Sequence, residues 1–182
     1  MGLLITGIVL FFGIHLLPAF VGPRQRLVDM LGETGYKTAF ALTSAIGFVF
    51  MLYGWRDVPH DPVFDPPAFS LLLSKVVMLP AFILLVAAYV PSNIRRLVGH
   101  PMIISVLLWA LVHVLANGDR ASLILFGAFL LWSIFDWASV VRRQTERPAP
   151  ASRRNDLIVV AVGVAVYIVV YRLHGRFFAP LG

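Results

Sequence analysis

Cysteine is absent from the sequence, and charged residues are scarce. The lack of cysteine excludes disulfides, thiolate metal sites, thioether-linked haem and cysteine nucleophiles. Only 13% of the 182 residues are charged, whereas 59% are hydrophobic, and the charged share is about half that of soluble domains. A chain of this size has too little interior to hide so much apolar surface from water. The composition therefore excludes a soluble globular domain and a disordered chain, and it predicts an integral membrane protein.

Sequence motifs of soluble enzymes are also missing. There is no glycine-rich phosphate loop, no HExxH zinc motif and no nucleophile elbow. The formal charge of +6 would permit a nucleic-acid partner, but most basic residues lie in short segments between apolar runs, as membrane topology requires. With no basic face left over, we expect membrane lipid and no nucleic acid as a partner.

Six apolar stretches approach the length of about 20 helical residues that a hydrocarbon core about 30 Å thick requires. We predict an all-α polytopic membrane bundle of about six transmembrane helices. The last stretch is mostly Val, Ile and Ala, so we expect it to be a lipid-facing addition outside any active site. We place the domain boundary in a basic linker, with a five-helix bundle over residues 1–145 and the linker and last helix over 146–182. The predicted spans are Gly2–Phe20, Tyr36–Trp55, Phe69–Val90, Pro101–Ala116, Ser122–Val141 and Asn155–Leu173.

Basic residues are unevenly divided between the two sides that these spans define. Ten Lys and Arg residues lie in or beside the first, third and fifth predicted loops, and four lie on the other side. The three loops are Val21–Gly35, Pro91–His100 and Arg142–Arg154. An excess of Lys and Arg marks cytoplasmic segments. We therefore expect both termini to lie outside the cytoplasm.

Polar side chains inside the predicted spans are costly in lipid and are hypotheses for a site. His15 is interpreted either as an interhelical hydrogen-bonding residue or as a metal or haem ligand. His113 either caps its helix or is a ligand, and His100 either caps the next helix or binds an anion. Lys75 either extends outward to water or joins His113 and Asn117 in one polar layer, where it would neutralise a buried acid.

Three runs of this sequence carry a family resemblance. The histidine pair of the fourth span is followed by a short turn. The signature continues into the fifth span, which contains Phe, Gly and Trp, and the first span has His15 upstream of two arginines. The runs are Gly99-His100-Pro101-Met102, then Leu108-Trp109-Ala110-Leu111-Val112-His113-Val114-Leu115-Ala116-Asn117-Gly118-Asp119, then Leu125 to Asp136, with Arg24, Arg26 and Gly32-Glu33-x-x-Tyr36. Over roughly residues 1–145 the chain resembles the NnrU family.

The resemblance implies a bacterial inner-membrane protein, since members of the family are of this kind and some are associated with denitrification and nitric oxide metabolism. A plant relative of the family, the 15-cis-zeta-carotene isomerase, is a membrane enzyme that holds haem b. By position in the pattern, its haem-ligating histidines match His15 and His113. The resemblance thus implies haem b as cofactor, with those two residues as the metal ligands.

The depth of the histidines in the predicted spans favours a different pair. At about 1.5 Å per residue, His15 lies about 7 Å and His113 about 18 Å from the cytoplasmic edge. Two axial nitrogens lie about 4 Å apart across an iron atom, since each imidazole bond is about 2 Å long. Depth favours His15 with His100, whereas the resemblance favours His15 with His113, and all three remain candidate cofactor ligands.

Two functions of different class follow from these observations. The first is a haem b membrane protein with an isomerase or redox role, or one linked to nitrogen-oxide metabolism, acting on a hydrophobic small molecule. The second is a non-enzymatic accessory or transport protein for denitrification, with a respiratory enzyme as partner. The sequence leaves the catalytic residues, and whether the protein is an enzyme, undetermined.

Overall fold

The computed structural model describes residues 1–142 and 149–177, and in these residues the chain is built from helices and their connections. The all-α fold predicted from the sequence is confirmed. A short 3₁₀ turn, Leu17–Ala19, follows the first helix. The helices are α1 Gly2–Leu16, α2 Val21–Arg56, α3 Ser70–Ala87, α4 Asn93–Val98, α5 Pro101–Ala116, α6 Arg120–Arg142 and α7 Arg153–Phe177.

Every predicted span appears as an apolar helix. Within the described ranges, five segments are long and apolar enough to cross a membrane: α1 with its 3₁₀ turn, α2, α3, α6 and α7. The sixth, α5, is a shorter apolar helix of 16 residues. In the most apolar part of each long helix, no more than 17% of residues are buried in the protein. Since so many apolar side chains face outward, lipid is the solvent that they require, and the protein is an integral membrane protein.

The segment predicted as the first loop, Val21–Gly35, is helical, so that prediction is wrong. Helix α2 has 36 residues, and the part that follows the break at Gly32, residues 33–56, is about 36 Å long at 1.5 Å per residue, enough to cross the hydrocarbon. Pro23 lies in the first turn, where a missing N–H breaks no helical hydrogen bond. The charges of this segment indicate that it lies outside the hydrocarbon, but they do not prevent a helix.

A glycine divides α2 into two parts. Gly32 has φ 71° and ψ 163°, a backbone conformation that residues other than glycine rarely adopt. Across this break the Arg24 guanidinium lies over the Tyr36 ring, 5.5 Å from its centroid, and Tyr36 is buried. The Gly-x-x-x-Tyr spacing seen in the sequence therefore provides the bend and the aromatic face that receives the arginine.

The predicted third loop, Pro91–His100, contains a short helix that the sequence analysis missed. Ser92 Oγ accepts a hydrogen bond from the Arg95 N–H at 3.1 Å and so caps α4. Gly99, with φ 78°, ends the helix. His100 is the N-cap residue of α5, as one of its two interpretations expected, but its side chain makes no capping hydrogen bond. The interpretation of His100 as an anion-binding residue stays a prediction.

The chain forms two compact units, of which the first comprises residues 1–63 and 119–128. In this unit α1 packs against α2 through glycines. A Cβ atom built at Gly7 would lie 2.5 Å from Met51 N and 2.8 Å from Gly47 O, and one at Gly54 would overlap the Leu4 backbone. Such close approach is how membrane helices associate without a hydrophobic driving force.

The second unit comprises residues 64–118 and 129–182, and in it α3 packs against α5 and α7. Ser105 Oγ donates to Ala81 O at 2.8 Å, linking α5 to α3. A Cβ atom at Gly163 would lie 2.7 Å from Ile83 Cα, so α7 lies directly on α3. The expectation that the last helix is only a lipid-facing addition is wrong. The boundary predicted between residues 145 and 146 lies outside the described residues.

We expect Gly7→Leu to lower the stability of the first unit, since its side chain would meet the α2 backbone. Overpacking of this kind typically costs about 1–3 kcal/mol. The matched control is Gly13→Leu on the same helix, where a Cβ atom meets nothing within 4 Å. Thermal unfolding of both variants in detergent measures the difference. Equal transition temperatures for the two variants would show that glycine packing does not hold α1 to α2.

Candidate functional site

A cavity of about 180 Å³ lies inside the second unit, among α3, α5 and α7. Residues from the start of α3 and from the ends of α5 and α7 line it, so it lies at that end of the unit. Its walls are mainly aromatic and aliphatic, with a few polar groups. The lining residues are Leu71, Ser74, Lys75, Met78 and Phe82 from α3, Trp109, His113, Ala116 and Asn117 from α5 and its end, and Tyr167, Val170, Tyr171 and His174 from α7.

Hydrogen bonds between the helices fix the walls of this cavity. The Tyr167 hydroxyl donates to the Lys75 carbonyl at 3.0 Å, joining α7 to α3 beside the cavity. The rings of Tyr167 and Tyr171 stack with centroids 6.0 Å apart. The contact ties the main chain of Lys75 to α7, and the Lys75 side chain lines the space that remains.

His113 is held in one orientation by its own helix. Its Nδ1 lies 2.7 Å from Trp109 O, and because a carbonyl only accepts, Nδ1 carries the proton and Nε2 the lone pair of the neutral ring. The Trp109 ring lies 5.1 Å from the imidazole and makes an edge contact with Phe129. Asn117 Nδ2 donates to His113 O at 2.8 Å, so the capping role suggested for His113 belongs to Asn117.

His15, in the first unit, has the same local arrangement. Its Nδ1 lies 2.7 Å from Phe11 O, which again places the proton on Nδ1 and the lone pair on Nε2. The ring stacks on Phe11 with centroids 4.1 Å apart and an interplanar angle of 25°. Phe40 of α2 lies 5.0 Å from it. His15 is thus an apolar-surrounded imidazole with a defined tautomer.

The structure brings together some of the predicted site residues and not others. Lys75, His113 and Asn117 line one cavity, as one of the two interpretations of Lys75 expected, but no Asp or Glu lines it, so the buried acid of that interpretation is not found there. His100 belongs to the same unit but does not line that cavity, and His15 belongs to the other unit.

His174 is a residue that the sequence analysis passed over. Its ring centroid lies 6.1 Å from that of His113, and it lines the same cavity. A sequence signal for it exists, since Tyr167, Tyr171 and His174 recur at i, i+4 and i+7 and therefore share one face of α7. The predicted span ends at Leu173, so His174 was assigned to an outer segment and given no chemistry.

A second polar cluster lies in the first unit, beside the turn before α6. His60 Nδ1 and Asp119 Oδ1 are 2.8 Å apart, the Ser122 N–H donates to Asp119 at 2.9 Å, and Trp55 Nε1 donates to Ser122 Oγ at 3.1 Å. Burial raises the pKa of Asp119, but the hydrogen bonds from Ser122 and His60 outweigh burial and keep that pKa below its ordinary value. The cluster therefore stabilises an ionised Asp119.

The histidines offer too few ligands for a bare metal ion, but enough for an iron that is already bound by a porphyrin. Across residues 1–142 and 149–177 no group of three or more His, Cys, Asp or Glu side chains is placed to hold a metal ion. A haem iron needs only one or two axial donors, because the porphyrin supplies four nitrogens. An imidazole whose second nitrogen donates to a carbonyl is the usual form of such a donor.

Comparison with known proteins identifies one match. Residues 3–180 match the family described as NnrU protein. The match includes α7 and is longer than the resemblance over residues 1–145 that the sequence motifs indicated. No curated protein and no solved structure matches the chain.

We expect Asp119 to make stability depend on acid pH. Because its folded-state pKa is lowered, its contribution is present above the ordinary carboxyl pKa and is lost as the pH falls through the folded-state value. The wild-type unfolding temperature should therefore drop as the pH falls below about 5. Asp119→Asn should begin lower and fall less.

Asp65→Asn, which changes an exposed carboxyl in the preceding loop, is the control and should follow the wild-type curve. If Asp119→Asn has the same acid dependence as the wild type, the hydrogen bonds around Asp119 do not stabilise its ionised form.

Proposed function

The chain belongs to the NnrU family, and from this premise we propose that it is a membrane protein that binds haem b. In this proposal His113 and His15 are the residues that would hold the haem iron. His100 is the alternative second ligand that the depth of the predicted spans favours. The role is an isomerase or redox reaction on a hydrophobic molecule, or a role linked to nitrogen-oxide metabolism.

The observation that carries the proposal is the state of the two imidazoles. Each donates Nδ1–H to the carbonyl four residues earlier, at 2.7 Å, and so has its lone pair on Nε2. A hydrogen bond of this kind fixes the tautomer, orients the ring and raises the basicity of the ligating nitrogen. A histidine that served only to join two helices would be expected to donate its N–H to a group on the neighbouring helix.

The aromatic side chains around the two histidines favour the binding of a flat apolar ligand. Trp109 lies beside His113, and Phe11 and Phe40 lie beside His15. These rings surround the imidazoles with apolar surface, which a porphyrin could contact. Since the sequence has no cysteine, imidazole is the natural axial donor for haem iron in this chain.

In the proposed mechanism the protein binds, orients and shields, while haem b supplies the one-electron chemistry of iron. Trp109 O and Phe11 O hold the two rings by accepting hydrogen bonds from their Nδ1–H groups. Asn117 closes the end of α5 by donating to His113 O, so the last turn that holds His113 stays formed. The aromatic side chains keep water from the apolar substrate.

Purified wild-type protein should show a b-type visible spectrum and a positive pyridine haemochrome assay. We expect His113→Ala to lose most of the haem and His15→Ala to lose the low-spin spectrum, because each removes an axial nitrogen. His60→Ala, which removes a histidine bound to Asp119, is the control and should keep the wild-type spectrum.

Other outcomes of this experiment are equally informative. Loss of the spectrum in His100→Ala, with His15→Ala unchanged, would replace His15 by His100 as the second ligand. If the wild-type protein, expressed with sufficient haem, contains none, the proposal is wrong. An accessory or transport role in denitrification would then be the better interpretation.

We further propose that the protein lies in the bacterial cytoplasmic membrane with both termini in the periplasm. Ten of the basic residues lie on one side of the predicted spans and four on the other, and the richer side is cytoplasmic. A reporter that is active only in the periplasm should work when fused after Gly118 and fail when fused after Gly99. The reverse pattern would invert the orientation.

A further inference from the structure

The cavity of the second unit contains one fixed cation and no acid. Lys75 lines it, together with the imidazoles of His113 and His174 and the side chains of two tyrosines. No Asp or Glu is among its lining residues. In the described part of the chain, Lys75 forms no ion pair, whereas Lys37, the other lysine, pairs with Glu33 at 2.7 Å.

An ammonium group in this position is costly unless an anion accompanies it. Lys75 is the sixth residue of α3, a helix apolar enough to span the membrane. A charged group in such a segment marks a functional site by default and calls for a named partner. The remaining polar side chains of the cavity are hydroxyl, amide and imidazole groups, and none is a carboxylate that would balance the charge.

The other side chains of the cavity indicate the kind of molecule that carries the anionic group. Met78, Phe82, Trp109 and Val170 make it apolar, and the bond from Tyr167 to the Lys75 carbonyl holds the lysine main chain at the rim of that apolar surface. A free inorganic anion would offer the apolar side chains of this wall no apolar group to contact. An apolar body that ends in an anionic head satisfies both the charge and the wall.

We propose that this cavity binds the carboxylate of an apolar molecule, with Lys75 as its counter-ion and Tyr171 and His174 as further polar groups for the head. Two sources share this chemistry: the propionate of a haem and the head of a fatty acid. Only the haem source rests on the proposed function, because a fatty acid would occupy the cavity whether or not the protein binds haem.

The experiment measures how much the protein prefers an acid to its ester. Purified protein is titrated with the fluorescent polyene cis-parinaric acid and with its methyl ester, and apoprotein is titrated with haem b and with haem dimethyl ester. Each ester keeps the apolar body and removes the negative charge. The wild type should prefer at least one of the two acids by about tenfold, the scale of a hydrogen bond to a charged group.

Substitution at Lys75 identifies the counter-ion. Lys75→Met, which keeps the length of the side chain, should remove the preference for the acid and leave the affinity for the ester unchanged. Lys75→Arg should retain most of the preference, and Lys37→Met, the matched control, should retain all of it. Ester binding serves as the check that each variant is folded.

Either of two results overturns the inference: a wild-type protein that binds both acids no better than their esters, or a Lys75→Met protein that keeps the full preference. A preference confined to haem b identifies the propionate, and one confined to parinaric acid identifies the fatty acid. A protein that prefers parinaric acid and binds no haem would support this inference while refuting the proposed function.

Discussion

Hydrogen bonds from polar side chains to carbonyls of their own helix are the interaction on which the site depends. In the described residues these bonds include five to the carbonyl four positions earlier, at 2.7–2.8 Å. In lipid there is no water to satisfy these groups, and a helical carbonyl has a second lone pair to accept them. The donors are His15, Ser74, His113, Asn117 and Ser133.

For serine such a bond is only a means of satisfying a hydroxyl, but for histidine it has a chemical consequence. It assigns the proton to Nδ1 and leaves Nε2 as the ligating nitrogen, with the ring fixed against its helix. The same constraint explains why Lys75 stands apart. An ammonium group is not neutralised by one carbonyl, and the cavity around it offers no acid, so the charge calls for an anion that the described chain does not supply there.

Hydropathy predicted the fold well, because the cost of exposing the backbone to lipid leaves helices as the spanning structure. The bounds of α5, Pro101–Ala116, agree fully with the predicted span, since Pro101 and Asn117 are strong end signals. Charge was a poorer guide: Val21–Gly35 was predicted as a loop because it is charged, yet it is the start of α2. Helix α4 was missed because six residues carry too little periodicity.

The site was only partly predictable for a related reason. His113, Lys75 and Asn117 stand out in the sequence as polar residues in apolar runs, and they do share a cavity. The contribution of α7 depends on packing between residues far apart in the chain, such as Gly163 on Ile83 and Tyr167 on Lys75. No local pattern specifies such contacts, although the spacing of Tyr167, Tyr171 and His174 indicates a polar face.

The most direct test of the haem proposal is electron paramagnetic resonance of the purified, oxidised wild-type protein. If iron is held by imidazole nitrogens on both axial sides, the spectrum is that of low-spin ferric haem. A purely high-spin ferric signal would contradict ligation by two histidines. The absence of any ferric haem signal from protein shown to be folded would contradict the central claim itself.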